Sequence, residues 1–72
     1  MEREWLKEAR RKHGIMQSDM AKALRVSVPY YSMIESGKRM PHTLDLSTAV
    51  TICKVLGMTL EEVAEYDHKR DS

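Results

Sequence analysis

The 72-residue sequence predicts an all-α fold of five short helices, and three observations carry that prediction. Apolar residues recur at three- and four-residue spacing in successive stretches, the signature of helices with one buried face. Glycine, proline and small polar residues stand where such helices would start and stop. No segment alternates apolar and polar residues long enough to make a strand, and the chain has no internal repeat or low-complexity tract.

The first helix is expected over residues 2–13, where Trp5, Leu6, Ala9 and His13 form a stripe and Arg3, Lys7, Arg10, Arg11 and Lys12 occupy other faces. Gly14 is its natural stop. Gln17–Leu24 forms a second helix, with Met20, Ala21 and Leu24 inward beside exposed Asp19 and Lys22. Arg25-Val26-Ser27 breaks the pattern, and the Ser27 hydroxyl can accept from an unpaired amide of the next turn. A third helix follows from Val28 to about Ser36, with Pro29 tolerated in its first turn, Tyr31 and Ile34 inward, and Gly37 as terminator. Lys38 to about Leu44 is a loop around Pro41. Asp45 or Thr43 caps a fourth helix that runs to Leu56 and buries Leu46, Ala49, Val50, Cys53 and Leu56. Gly57 ends it, and Thr59-Leu60-Glu61-Glu62 matches a capping box that opens a fifth helix to about Tyr66. Residues 1–66 read as one domain and Asp67–Ser72 as a polar, fraying tail.

Composition narrows the functional classes. A chain of 8.4 kDa buries only about 60% of its unfolded surface, which leaves little material to wall a deep active-site cleft. Cys53 is the only cysteine, so no intrachain disulfide or zinc ribbon can form; it reads as a small buried apolar residue in a reducing compartment. His13, His42 and His68 share no ligand spacing, no phosphate-binding or nucleophile motif occurs, and Gly14, Gly37 and Gly57 stand alone. No catalytic group, metal, cofactor or small-molecule ligand is therefore expected. With no leader-like apolar run and nothing near the ~20 apolar residues of a membrane span, a cytoplasmic protein is expected. The net charge of +1 is unevenly spread: residues 1–39 hold nine Lys/Arg against five Asp/Glu (+4), and residues 40–72 hold three against six (−3).

The informative unit is the pair Gln17–Leu24 and Val28–Ser36 joined by a three-residue turn, which is helix-turn-helix spacing. In order along the chain stand Leu6-Lys7-Glu8-Ala9-Arg10-Arg11, Gln17-Ser18-Asp19-Met20-Ala21-Lys22-Ala23-Leu24, Val26-Ser27, Tyr30-Tyr31-Ser32-Met33-Ile34-Glu35-Ser36-Gly37-Lys38-Arg39, Pro41 and Ile52-Cys53-Lys54-Val55-Leu56-Gly57. From about Leu6 to Val63 the chain resembles the Cro and lambda-repressor family of helix-turn-helix DNA-binding domains. The resemblance implies a compact five-helix domain whose third helix enters the major groove, and a cytoplasmic, nucleoid-associated transcriptional regulator, most simply a repressor. It also implies double-stranded DNA as partner and a homodimer, at least on DNA, because one recognition helix reads only a few base pairs.

The resemblance further assigns roles. Val28, Pro29, Ser32 and Met33 fall at base-reading positions. Arg10, Arg11, Gln17, Ser27, Tyr30, Lys38 and Arg39 fall where the DNA backbone is met, and Arg10 with Glu35 matches a structural ion pair. Direct polar readout is thin, since no Arg, Asn or Gln stands at the base positions; Val28 and Met33 either pack on thymine methyls or are incidental surface, so part of the specificity falls to DNA shape.

Three departures from the family pattern stand out. Arg25 takes a position that is often glycine. Met16 replaces a hydroxyl cap at a cost of roughly 1 kcal/mol unless it packs on Met20. The Lys38–Asp45 loop is extended, so that His42 and Thr43 either add a DNA contact or are filler. Leu60, Val63 and Tyr66 are either a patch for two-fold pairing or part of the core, and Trp5 shares that ambiguity. A second class of function keeps the fold: a helix-turn-helix scaffold used as a protein-interaction module, such as an antitoxin or antirepressor-like partner.

Overall fold

The computed structural model describes residues 2–70. Within them lie five helices and no strand: α1 Glu4–Lys12, α2 Gln17–Leu24, α3 Val28–Ser36, α4 Leu46–Leu56 and α5 Leu60–Lys69. α2 packs on α3 and α4, α4 on α5, and α1 on α3, so the two helices of the expected unit are buttressed from behind by the other three. One core of Leu6, Met20, Ala21, Tyr31, Ile34, Ala49, Ile52, Leu56 and Val63 joins all five. Half-buried Ala9, Leu24, Val26, Cys53 and Met58 surround it.

The caps follow the chemistry of the sequence. Ser27 Oγ accepts from the Tyr30 amide at 3.2 Å, Asp45 Oδ1 from the Thr48 amide at 2.8 Å, and Thr59 and Glu62 exchange both bonds of a capping box. Asp45, not Thr43, is the cap of α4. At α2 the staple between Met16 and Met20 does not form, because Met16 is exposed; Asp19 instead turns back to take the Met16 amide at 3.0 Å.

Several expectations are corrected. α1 begins at Glu4 because Arg3, placed by pattern on an exposed face, is drawn wholly inside. His13 is exposed at the end of α1, its Nδ1 2.8 Å from the Ala9 carbonyl oxygen. Leu46 lies 69% exposed at the first residue of α4, outside the apolar face assigned to it. α5 does not stop near Tyr66 but continues to Lys69, and Asp67 is buried there as an ion-pair partner instead of opening a frayed tail. Asp71 and Ser72, the end of that expected tail, lie outside the described residues. Of the ambiguous apolar group, Val63 is core, whereas Leu60 and Tyr66 are about half exposed and Tyr66 stacks on Trp5 with ring centroids 6.1 Å apart.

Candidate nucleic-acid interface

The α2–α3 unit is built by a turn of three residues. Arg25 closes α2 in the left-handed conformation, φ 59° and ψ 43°, and the Val26 amide reaches back to the Ala21 carbonyl at 2.9 Å. The turn therefore has the geometry a glycine would give, and Arg25 accepts the steric cost of it. Ser27 and Pro29 then start α3 in the direction the turn dictates.

α3 divides cleanly. Tyr31, Ile34 and Glu35 face inward, while Val28 and Pro29 are exposed and Ser32 and Met33 half-buried. Gly37, at φ 83°, ends the helix in the left-handed region that side chains disfavour, and Lys38 and Arg39 follow it onto the surface. The Arg39 guanidinium lies 4.9 Å from the centre of the Tyr30 ring, so these two residues act as one cationic, aromatic platform beside the exposed start of α3.

Behind this surface lies a buried polar junction. Arg10 Nε stands 2.6 Å from Glu35 Oε2 and its Nη2 3.3 Å from Oε1, while Nη1 donates to the Ile15 carbonyl at 2.9 Å. Gln17 Nε2 donates to Glu35 Oε1 at 3.1 Å, so the first residue of α2 is tied to the last turn of α3. Burial opposes ionisation of Glu35, but hydrogen bonds from Arg10 and Gln17, with the Tyr31 hydroxyl close by, outweigh it and hold the carboxyl below its ordinary range. The same carboxylate raises the Arg10 guanidinium further. Tyr31, whose hydroxyl lies outside ordinary hydrogen-bond geometry, is pushed far up, first by burial and then by Glu35.

These distances sort the expected site residues. Val28, Pro29, Ser32, Met33, Ser27, Tyr30, Lys38 and Arg39 are gathered along α3 and its two ends, and Gln17 and Ser32 line one shallow cleft of about 110 Å³ with Lys7 and Ser36. Arg11 is exposed on α1. Arg10 is corrected: it is 7% exposed with three nitrogens engaged inside, which leaves it the ion pair and no face for a phosphate. Two residues had escaped notice. Lys7 stands three positions before Arg10, a spacing that already placed it on the side of α1 turned toward α3. Arg3 shares the face of Leu6 and Arg10 by spacing, but nothing local names its partners, which are Asp67 and the carbonyls of Ile34, Arg39 and Met40.

The helix-turn-helix family matches residues 6–63, more than half of the sequence. The chain belongs to that family. It is similar to "Uncharacterized HTH-type transcriptional regulator YqaF" of Bacillus subtilis strain 168, 43% identical over 44 residues that cover 61% of this chain and 58% of the relative. It is also similar to "HTH-type transcriptional regulator DdrOP3" of Deinococcus deserti, 34% identical over 62 residues that cover 86% of this chain and 46% of the relative. The chain thus spans about half the length of the curated relatives it matches. No solved structure matches. Among the described residues no cluster of three His, Cys, Asp or Glu is placed to hold a metal ion, and no helix is long and apolar enough to cross a membrane.

Proposed function

We propose that this chain binds double-stranded DNA sequence-specifically as a transcriptional repressor, with α3 in the major groove and two copies on a two-fold operator. The observation that carries the reading is the outward side of the α2–α3 unit. Val28, Pro29, Ser32 and Met33 are presented along α3, and hydroxyl, amide and cationic donors flank them: Gln17 and Ser27 at the helix starts, Tyr30, Lys38 and Arg39 beyond. Arg11 adds to the basic N-terminal half. Helix starts carry partial positive charge, which suits Gln17 and Ser27 to phosphate contact. Arg10 and Glu35 hold the two helices in register from behind. Self-pairing is supported by an apolar groove of about 310 Å³ between the start of α4 and α5, where Leu46 and Leu60 stand exposed.

Selection of bound sequences from a random DNA pool tests this reading. An inverted repeat should emerge, and Ser32→Ala and Met33→Ala should change the preferred bases rather than abolish binding. Failure to enrich any sequence would favour the second reading, a helix-turn-helix scaffold that docks a protein. The sequence feature on its side is that none of the four residues offered to bases is Arg, Asn or Gln.

A further inference from the structure

Among the described residues Arg3 is the largest side chain with no exposed surface, and nothing in the domain's core chemistry calls for a cation there. Its Nε lies 2.7 Å from Asp67 Oδ1, near the end of α5. Its remaining nitrogens donate to the Ile34 carbonyl at 2.8 Å, the Arg39 carbonyl at 3.1 Å and the Met40 carbonyl. Arg70 meets the same Asp67 oxygen at 2.9 Å and donates to the carbonyls of Pro41 and His42. Two guanidiniums thus share one carboxylate, and the surplus positive charge is met by main-chain oxygens. Four successive carbonyls, residues 39–42, are each held by an arginine from one or other end of the domain. This is the extended loop that follows α3, and it begins with Lys38 and Arg39.

Granted the DNA-binding reading above, we infer that the Arg3–Asp67–Arg70 clamp is a positioning device for that reading's phosphate contacts: it fixes the Lys38–His42 segment so that Lys38 and Arg39 are ordered before DNA arrives. A loop of this length would otherwise be ordered on binding, at an entropic cost taken from affinity. The clamp also fixes Met40 at φ 51°, a left-handed backbone that a methionine does not hold without outside support. The ring stack of Arg39 on Tyr30 depends on the same backbone, because the Arg39 carbonyl is one of the oxygens Arg3 holds.

The test uses Asp67→Asn, and Arg70→Met as a second variant that leaves the Arg3–Asp67 pair in place, with amide hydrogen exchange and binding to short mixed-sequence duplex DNA by fluorescence anisotropy. Exchange at the Arg39 amide, which donates to the Met33 carbonyl at 3.1 Å, should accelerate while amides of α2 and α4 keep their protection. Affinity should fall about tenfold as preorganisation is lost. The slope of log affinity against log salt should become shallower by up to about one unit per phosphate contact that loosens. In a Lys38→Ala/Arg39→Ala background the same Asp67→Asn change should cost nothing further, because the groups it positions are gone. Equal losses in both backgrounds, or faster loop exchange with undiminished affinity, would overturn the positioning role and leave the clamp a stabilising contact only. No binding by the wild-type chain would instead strike the DNA-binding reading, and this inference with it; an intact wild type beside unaltered variants strikes the inference alone.

Discussion

Two arginines, Arg3 at the N-cap of α1 and Arg10 within it, enter the interior and meet carboxylates, yet they do different things. Arg10 pairs with Glu35 at the seam between α1, α2 and α3, where one neutral acceptor, the Ile15 carbonyl, completes its shell. Arg3 pairs with Asp67 across the whole sequence and has three carbonyls besides. The first junction aligns helices within the helix-turn-helix unit; the second binds the chain's ends to the loop that leaves it. What separates them is how much of each cation's solvation is charged and how much is main chain. The consequence is unequal dependence on the carboxylate.

The largest expected effect follows from that inequality. Glu35→Ala leaves Arg10 buried with one carbonyl and strands Gln17 as well, and should cost about 3 kcal/mol or more. Asp67→Ala removes the anion that Arg3 and Arg70 share but leaves the carbonyl acceptors of both guanidiniums, so about 2 kcal/mol is expected. Urea unfolding of the two variants decides it. Equal losses, or a larger one at Asp67, would mean that the carbonyls contribute little and that the two junctions are alike.

The pH response sharpens the same contrast. Glu35 is held below its ordinary value of 4.5, so its contribution to stability is present above that value and is lost as pH falls through the depressed folded value. Tyr31 is raised from 10.0, so its contribution is complete below about 10 and is lost as pH climbs beyond it. Stability should therefore fall at both ends of the range. Glu35→Gln should flatten the acid limb and Tyr31→Phe the alkaline one in pH-dependent thermal unfolding. An acid limb unchanged by Glu35→Gln would remove Glu35 as its source.

The sequence made one of these junctions legible and hid the other, for a physical reason. Helices α2 and α3 were bounded by residues whose local chemistry decides the matter: Ser27, Pro29, Gly37 and the apolar stripe. Arg10 with Glu35 came through resemblance. Arg3 also had a readable position, since residues 3, 6 and 10 lie at i, i+3 and i+7, the same face as buried Leu6. Residue type concealed it, because a charged side chain beside a leucine reads as solvated unless its partner is known. That partner, Asp67, lay in a polar run that reads as a loose tail, and only the tertiary fold brings the two together. Leu46 failed in the opposite sense: an apolar residue at the first position of α4 fits the helical stripe, but its side chain projects beyond the core.

The smallest expected effect tests whether each region supports its own strained backbone. Among the described residues, Arg25 and Met40 are the non-glycine residues with positive φ, 59° and 51°, one in the helix-turn-helix turn and one in the clamped loop. Glycine relieves about 1 kcal/mol of steric strain in this conformation, and returns part of that through the added entropy of the unfolded chain. Arg25 is exposed and its turn is closed by local hydrogen bonds, so Arg25→Gly should gain about 0.5 kcal/mol, the same in wild type as in Asp67→Asn. Met40 is half-buried and its carbonyl is held by Arg3, so Met40→Gly loses side-chain packing and should bring no net gain in wild type. In Asp67→Asn the loop is released and that left-handed backbone is no longer enforced, so the effect of Met40→Gly should differ from its wild-type value while that of Arg25→Gly does not. Paired thermal unfolding of the three single and two double variants reads this coupling. If Met40→Gly were as additive with Asp67→Asn as Arg25→Gly is, the loop's conformation would be set by its own sequence, and the clamp would be following the loop instead of holding it.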